Sequence, residues 1–248
     1  MLHLIGLGIG GIKDITLKGE EMLKKSDIVF MEEYTCPLNI NLKELEKLAG
    51  KEITLLDRKG VEEEDIILDN AITKKVAFLI GGDPLSATTH KELLIGAKQK
   101  KVKCNVIHSS SIFSAIAECG LELYNFGMTV SLPFFKENYT PISPYEKIEK
   151  NLKNNFHTLL LLDIGMDVKT AINQLDILEK QIKHKLFFPK KKVIVCMNIG
   201  SDDSAIKYDT AENLVAFFGK IKEKVLYSLI IPAKLNFKEK EYLEKIIV

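Results

Sequence analysis

The fold is decided by residues 76–100, which read VAFLIGGDPLSATTHKELLIGAKQK. Five consecutive apolar residues, Val76–Ile80, are typical of a strand that is buried on both faces. The glycines, the proline and the small polar residues of 81–90 predict a loop. Helix-forming residues complete the stretch, and Thr89 and Glu92 have the spacing of a capping box. The stretch therefore predicts the strand, loop and helix of an α/β protein.

The same alternation extends on both sides of this stretch. Further apolar runs predict strands over His3–Leu7, Ile28–Met31, Ile53–Leu56 and Val102–Ile107, and helical patterns cover Leu17–Lys25 and Leu42–Leu48. Strands of nearly continuous apolar character that alternate with helices indicate a parallel sheet covered on both faces. We expect an N-terminal α/β domain over residues 1–127, which carries the glycine-rich and Gly-Asp-Pro loops.

The second half repeats the pattern after a glycine- and proline-containing stretch, residues 126–144. Ser143, Pro144 and Glu146 together predict a capping box with proline at the first helical position. Strands are expected over His157–Ile164, Val193–Met197 and Tyr227–Ile231, and helices over Ala171–Lys183, Ala211–Phe218 and Phe237–Ile247. We therefore expect a C-terminal α/β domain over residues 128–248.

Composition excludes several classes of protein. The chain has 248 residues, of which 46% are hydrophobic, and its formal charge is +1. This composition excludes a disordered chain, and the charge gives no reason to expect a nucleic-acid partner. No apolar run approaches the roughly 18 residues of a membrane span, and the N-terminus lacks a signal-peptide pattern. The four widely spaced cysteines indicate neither a disulfide framework nor a zinc site, so we expect a cytoplasmic protein without a metal.

A glycine motif follows the first predicted strand. Gly6, Gly8 and Gly11 satisfy G-x-G-x-x-G, and the acids Glu32 and Glu33 end the next strand, where a dinucleotide fold binds ribose. This pattern favours NAD. However, a Rossmann helix begins inside the motif, whereas here the helix follows a longer loop and is capped by Asp14 or Thr16. A glycine-rich turn without a ligand remains an alternative.

Two more loops follow predicted strands. Gly81, Gly82 and Asp83 lie where open α/β sheets bind their ligands, although Asp83 could equally cap a backbone amide. Residues 107–112, IHSSSI, bring hydroxyls and helix N-terminal amides to another strand end. His108 could act as a base there, but a histidine that closes a buried strand is more often packed and hydrogen-bonded. The pattern contains no hydrolase triad or paired acids.

The loops together resemble one family. The resemblance rests on residues 4–8 (LIGLG), 13–19 (KDITLKG), 33–35 (EYT), 82–90 (GDPLSATTH) and 157–164 (HTLLLLDI). In these segments the chain is similar from end to end to the diphthine synthases, within the tetrapyrrole-methylase-like class. The resemblance implies two α/β domains with S-adenosylmethionine in the cleft between them.

The resemblance also implies the residues that contact the cofactor. Position by position, they are Ile9, Asp83, Ser86, Ser111, Ile112, Leu162, Ile199 and Tyr227. We expect Asp83 to support the cationic cofactor and the amides at Ser111 and Ile112 to bind its polar atoms. Ile9, Leu162 and Ile199 are expected to form apolar walls that exclude water. Tyr227 departs from the family, which commonly has histidine there. No catalytic residue and no metal ligand are expected.

The implied reaction is methylation of the amino group of a 3-amino-3-carboxypropyl chain on a histidine of translation elongation factor 2. Archaeal members stop at the trimethylammonium product and eukaryotic members add a methyl ester. The chain lacks the insertion that resembles the eukaryotic form, which favours the trimethylammonium product. The resemblance further implies a homodimer, and the charge and the lack of a long apolar run predict no contact with nucleic acid or membrane. Alternatives are a corrinoid or porphyrinoid methylase, an NAD-dependent oxidoreductase and a non-catalytic translation-associated subunit.

Overall fold

The computed structural model describes residues 1–34, 40–186, 189–221 and 225–247. The chain forms two compact units. The first comprises Met1–Ala115 together with Gly200–Asp202, and the second comprises Ile116–Ile199 and Asp203–Val248. Each unit has its own five-stranded sheet with helices, which confirms the α/β class.

The first unit is built on a parallel sheet. Its strands are β1 (Leu2–Gly6), β2 (Ile28–Glu32), β3 (Thr54–Leu56), β4 (Val76–Ile80) and β5 (Cys104–Ile107). They lie in the order β3-β2-β4-β1-β5, and every pairing is parallel. Leu2 is in register with Val76 on one side and with Cys104 on the other. The predicted parallel sheet is thus confirmed, and β1 lies between β4 and β5.

Apolar cores cover both faces of this sheet. Leu4 and Phe78 belong to one buried cluster, whereas the adjacent residues Ile5 and Leu79 belong to another. Side chains alternate between the two faces of a strand, so β1 and β4 have to be apolar throughout. The helices of this unit are α1 (Leu17–Lys25), α2 (Leu42–Ala49), α3 (Arg58–Glu62), α4 (Ile66–Thr73), α5 (Lys91–Gln99) and α6 (Ile112–Ala115).

Two predicted helix starts have different outcomes. Thr16 caps α1, because its hydroxyl accepts a hydrogen bond from the Gly19 amide, so the late helix start is confirmed. The predicted capping box of α5 is wrong. His90 occupies the N-cap without a side-chain bond, and Thr89 instead donates its hydroxyl to Glu62 at 2.9 Å.

The second unit has a mixed sheet. Its strands are β6 (Val130–Leu132), β7 (Thr158–Leu162), β8 (Lys192–Met197), β9 (Ala205–Thr210) and β10 (Tyr227–Ile231). Their order is β6-β7-β10-β8-β9, in which β6 is parallel to β7 and the other pairs are antiparallel. The sequence pattern did not predict β9. This edge strand is rich in polar residues, and none of its residues is fully buried, so it lacks an apolar run.

The helices of this unit are α7 (Ser143–Lys153), α8 (Val168–Ile182), α9 (Ala211–Phe218) and α10 (Phe237–Lys245). Proline lies in the first turn of α7 as predicted, but the capping box is not formed, because Ile142 occupies the N-cap position. Among the described residues, no helix is long and apolar enough to cross a membrane.

The two units meet in sequence at Ala115–Ile116, twelve residues before the predicted domain limit. Residues 116–127 hydrogen-bond within the second unit, since the Gly127 amide donates to the His157 carbonyl and the His157 amide donates to the Asn125 carbonyl. These pairings could not be read from local composition. The limits 1–127 and 128–248 stay a prediction.

The cysteines that the structure describes are free thiols. Cys119 and Cys196 are buried and Cys104 is partly buried, and burial raises the pKa of Cys104 and of Cys119 to about 11. These groups therefore remain protonated thiols at neutral pH, as expected for structural cysteines. Cys36 lies outside the described residues.

Asn151 tests the packing of the second unit. Its buried side chain accepts from the Met128 amide and donates to the Met128 carbonyl and to the Thr158 hydroxyl, at 2.8–3.0 Å. We expect Asn151→Leu to cost about 1–3 kcal/mol for each buried partner left unsatisfied. Urea unfolding followed by circular dichroism measures the loss. Asn173→Leu, at an exposed position of α8, is the control, and equal stability of the two variants would contradict this role.

Candidate functional site

Three loops meet at the carboxyl edge of the first sheet. They follow the adjacent strands β4, β1 and β5 and contain residues 81–90, 7–16 and 108–111. The first two are joined directly. The Gly8 amide donates to the Gly82 carbonyl at 3.1 Å, and the Gly82 amide donates to the Gly8 carbonyl at 2.8 Å. The edge where the sequence predicted a ligand site is thus a single hydrogen-bonded structure.

The glycines allow the backbones to approach each other closely. Gly8 and Gly82 have φ of +73° and +75°, a conformation that other residues rarely adopt. A Cβ on Gly6 would lie 2.6 Å from the Gly82 carbonyl oxygen and 2.9 Å from the Ser109 Cβ. The glycine motif therefore serves the packing of loop against loop.

Asp14 holds the glycine loop. Its Oδ2 accepts hydrogen bonds from the Gly10 amide at 2.8 Å, the Ile9 amide at 3.3 Å and the Ser110 hydroxyl at 3.0 Å. Ser109 adds a bond from its hydroxyl to the Asp14 carbonyl. Asp14 thus occupies amides that a dinucleotide pyrophosphate would need. The sequence suggested only a helix cap for this residue, because its partner Ser110 is far away in the chain.

Asp83 joins its own loop to the one after β5. One carboxylate oxygen accepts from the Leu85 amide at 3.0 Å and the Ser86 hydroxyl at 3.2 Å, and the other from His108 Nδ1 at 2.7 Å and the Ser109 amide at 3.3 Å. Burial opposes ionisation, but the hydrogen bonds from Leu85, His108 and Ser109 outweigh it and lower the pKa of Asp83. Asp83 is therefore an ionised carboxylate at neutral pH.

His108 differs from the packed histidine that the sequence favoured. Its side chain is 67% exposed, and its contact with Asp83 places it at the surface of the three-loop edge. The prediction was wrong because β5 ends at Ile107, so the ring lies outside the sheet. The sequence pattern did not predict the Asp83–His108 pair, because the two residues are 25 positions apart and no local motif connects them.

His90, the last residue of the Thr-Thr-His segment, has a structural role. This buried ring places Nδ1 3.2 Å from the Pro84 carbonyl and Nε2 3.1 Å from Glu32 Oε2, and it packs edge-on against Phe78. Glu32 is one of the acids that the nicotinamide alternative assigned to a ribose. It is 3% exposed and engaged with His90 instead. The Glu32–His90 pair therefore holds the Gly-Asp-Pro loop in place through the contact of His90 with the Pro84 carbonyl.

The remaining predicted contacts of the first unit lie on the same edge. Ser86 donates to Asp83, Ile9 sits in the glycine loop, and Ser111 directly precedes α6, which begins at Ile112. Ser111 is buried, and its carbonyl accepts from the Ala115 amide. The structure thus brings together five residues from three distant stretches: Ile9, Asp83, Ser86, Ser111 and Ile112.

The three predicted contacts of the second unit share one end of its sheet. Leu162 ends β7, Tyr227 begins β10 opposite Met197 of β8, and Ile199 follows β8 by two residues. Leu162 and Tyr227 are partly buried hydrophobic residues that pack on the core of the unit. Burial raises the pKa of the Tyr227 hydroxyl, and Asp167 adds to this shift. The role of these residues as cofactor contacts stays a prediction.

Ile199 is followed by the segment Gly200–Asp202, which clusters with the first unit. A Cβ on Gly10 would lie 2.5 Å from the Gly200 carbonyl oxygen, and one on Gly200 would lie 2.7 Å from Ile9 Cγ1. The glycine loop therefore packs on a segment that is more than 180 positions away in sequence. The sequence pattern gave no indication of this contact.

Comparisons with known proteins identify the family. The sequence model of the tetrapyrrole (corrin/porphyrin) methylases matches residues 1–215. The diphthine methyl ester synthase of Dictyostelium discoideum is 37% identical over 98% of this chain and 97% of its own length. The chain belongs to the tetrapyrrole methylases and, among them, to the diphthine synthases.

Further relatives agree with this family assignment. The diphthine methyl ester synthase of Schizosaccharomyces pombe is 39% identical over 86% of this chain and 83% of its own. A crystal structure from Entamoeba histolytica, assigned as a diphthine synthase, is 36% identical with a TM-score of 0.91 and covers 98% of this chain and 97% of its own. The chain is an S-adenosylmethionine-dependent methyltransferase, so the nicotinamide and non-catalytic alternatives are wrong.

The first-unit edge fits this cofactor. A sulfonium nucleoside favours an anionic group, backbone polar groups and apolar surface, and the edge presents the ionised Asp83 beside the glycine backbone. A Cβ built on Gly82 would have no neighbour closer than 3.9 Å, so this backbone is open to close approach by a ligand. Among the described residues, no group of three or more potential metal ligands lies together.

Removal of the Asp14 carboxylate should release the glycine loop. We expect Asp14→Ala to cost about 1–3 kcal/mol of unfolding free energy, because charged hydrogen bonds to two amides and a hydroxyl are lost. Binding of S-adenosylmethionine, measured by calorimetry, should weaken at least tenfold. Asp57→Ala removes the N-cap of α3 outside the three loops and should lower stability while cofactor affinity is retained. Unchanged affinity in Asp14→Ala would contradict the proposed role.

The ionised state of Asp83 predicts a pH dependence of stability. Its folded pKa lies below the ordinary value of 3.8, so it stabilises the fold above that pH, and this contribution is lost as the pH falls through the folded pKa. The stability gap between the wild type and Asp83→Asn should therefore narrow on acidification below about pH 4. Urea titrations between pH 6 and pH 3 measure the gap, and a constant gap would contradict this interpretation.

Proposed function

We propose that this chain methylates the 3-amino-3-carboxypropyl chain carried by a histidine of translation elongation factor 2, in diphthamide biosynthesis. The observation that carries the proposal is the similarity to diphthine methyl ester synthases along nearly the whole chain, as in the Dictyostelium protein. The three-loop edge supports it, because five of the eight residues that the resemblance assigns to the cofactor lie there: Ile9, Asp83, Ser86, Ser111 and Ile112. A corrinoid or porphyrinoid acceptor is less well supported, since the named relatives are diphthine methyl ester synthases.

The relatives also bear on the product. Their name describes a methyl ester, whereas the missing insertion in this chain favoured a product with three methyl groups on nitrogen. The similarity to such a relative covers nearly the full length of both chains, whereas the insertion is a single local difference. The proposed reaction is therefore methylation of the amine followed by methylation of the neighbouring carboxylate.

The residues of the edge have distinct proposed roles. When bound, S-adenosylmethionine supplies a sulfonium methyl group for in-line displacement. Asp83 places negative charge near that cation, the amides at Ser111 and Ile112 bind polar atoms, and Ser86 supports the Asp83 carboxylate. The apolar contacts are Ile9, Leu162 and Ile199, and Tyr227 is a further contact, made through its backbone. Such residues act chiefly by positioning, which contributes up to about 7–11 kcal/mol in intramolecular reactions.

Location and assembly belong to the same proposal. We place the protein in the cytoplasm, where a translation factor is modified, and the free thiols of Cys104, Cys119 and Cys196 suit a reducing compartment. The family resemblance supports a homodimer. The balanced charge of the sequence gives no reason for direct contact with nucleic acid.

Calorimetry tests the cofactor and mass spectrometry tests the substrate. We expect micromolar binding of S-adenosylmethionine and S-adenosylhomocysteine, and no binding of NADH. Elongation factor 2 that carries the 3-amino-3-carboxypropyl group should then gain methyl groups in succession. Mild alkali should remove one of them, since an ester is hydrolysed and an N-methyl group is not. Cofactor binding without methylation of this substrate would refute the proposed function.

A further inference from the structure

The histidine at the three-loop edge has the geometry of a proton acceptor. His108 Nδ1 lies 2.7 Å from Asp83 Oδ2, and the ring is 67% exposed. Since Asp83 is ionised, its carboxylate accepts the hydrogen bond and His108 Nδ1 donates it. The neutral ring therefore carries its lone pair on Nε2. A carboxylate that fixes the tautomer of a histidine and stabilises its protonated form is the usual support of a general base.

The other four histidines are unsuited to this role. His90 and His157 are buried, and both nitrogens of each ring contact protein atoms. His3 is buried in β1, where it contacts Asn105, and His184 pairs with Glu149 on the second unit. All five histidines lie in the described residues, and His108 alone combines an exposed ring with a buried carboxylate partner.

Polar neighbours hold the pair in place. The Ser109 amide donates to the same oxygen of Asp83 that accepts from His108, and the Ser109 hydroxyl donates to the Asp14 carbonyl. Among the described residues, Asp83 is the charged group in contact with the His108 ring. The Asp14 carboxylate accepts a hydrogen bond from the hydroxyl of Ser110, two residues after His108 in the chain. Both are acids, and Asp83 accepts the hydrogen bond that orients the ring.

We propose that His108, oriented by Asp83, accepts the proton from the substrate nitrogen during N-methylation. This inference rests on the proposed function and adds a catalytic residue to it. The ring lies three positions before Ser111 and directly on Asp83, which are two of the predicted cofactor contacts. It therefore belongs to the edge at which the acceptor nitrogen has to meet the methyl group.

Methyl transfer to nitrogen requires a proton acceptor, whereas methyl transfer to a carboxylate oxygen does not. An ammonium has no electron pair, so its N–H bond breaks first and the proton moves to His108 Nε2. The freed nitrogen pair then forms the C–N bond while the electron pair of the C–S bond stays on sulfur. Each transfer to nitrogen thus releases one proton, which the exposed ring passes to water. A carboxylate attacks with an electron pair that it already has, and ester formation releases no proton.

The test compares methylation of nitrogen and of oxygen in His108→Ala. Single-turnover rates are measured by mass spectrometry on elongation factor 2 that carries either the unmethylated group or its trimethylated form. We expect N-methylation by the variant to fall about 100-fold, within the range for general bases. Ester formation from the trimethylated substrate and the calorimetric affinity for S-adenosylmethionine should be retained.

Added imidazole separates chemistry from structure. It should restore N-methylation to His108→Ala, in which the exposed position of the ring is open to imidazole, and should leave the wild type unchanged. Asp83→Asn loses the charge that is proposed to support both the cofactor cation and His108, so both rates should fall, and N-methylation should fall further than ester formation. Thr88→Ala removes a hydroxyl that donates to the Pro84 carbonyl in the same loop and should leave the ratio of the two rates unchanged.

The outcomes separate this inference from the proposed function. Wild-type rates in His108→Ala, an equal loss for nitrogen and oxygen, or a loss that imidazole does not relieve would each overturn the proton-acceptor role while the proposed function stands. A wild-type enzyme that binds S-adenosylmethionine but methylates neither form of elongation factor 2 would overturn both.

Discussion

Gly8 and Gly82 exchange two backbone hydrogen bonds, and Gly6 lies so close to Gly82 that a single added carbon would meet its carbonyl oxygen at 2.6 Å. The rest of the site depends on this close approach. It is possible because β1 lies between β4 and β5 in a parallel sheet, so that three loops leave the sheet at one edge. Since the backbones are locked together, the side chains that the loops carry have fixed relative positions.

The acids of this edge are tied to the loops. Asp14 binds the glycine loop, Glu32 pairs with His90, and Asp83 accepts four hydrogen bonds while it joins two loops. Paired carboxylates avoid the cost of an isolated buried charge and also hold the backbone. His108 is the exposed end of this arrangement. A rigid edge with one exposed titratable ring suits methyl transfer, in which distance and alignment contribute more than a covalent intermediate would.

The second unit reaches its fold differently. Its sheet is mixed, and a buried acid, Glu239, holds residues far apart in the chain by accepting from the Glu122 amide, Asn125 and His157. The hydrogen bonds from these neighbours and from the Asn236 amide outweigh burial and keep the pKa of Glu239 below its ordinary value. This network explains why residues 116–127 belong with the second sheet. The predicted contacts Leu162 and Tyr227 lie on the core of this unit rather than in a mobile loop.

Features that depend on neighbours in the chain could be predicted from the sequence. Apolar runs predicted the parallel sheet, Thr16 was one of two predicted caps of α1, and the Gly-Asp-Pro and Thr-Thr-His segments identified the family. The pairing of polar groups depends on the three-dimensional fold. Thr89 donates to Glu62 instead of capping α5, Asp14 holds the glycine loop, and Asp83 meets His108. The edge strand β9 was missed because it has no apolar run. Such pairings join residues up to about a hundred positions apart, and a local pattern contains no information about which strand ends the fold will bring together.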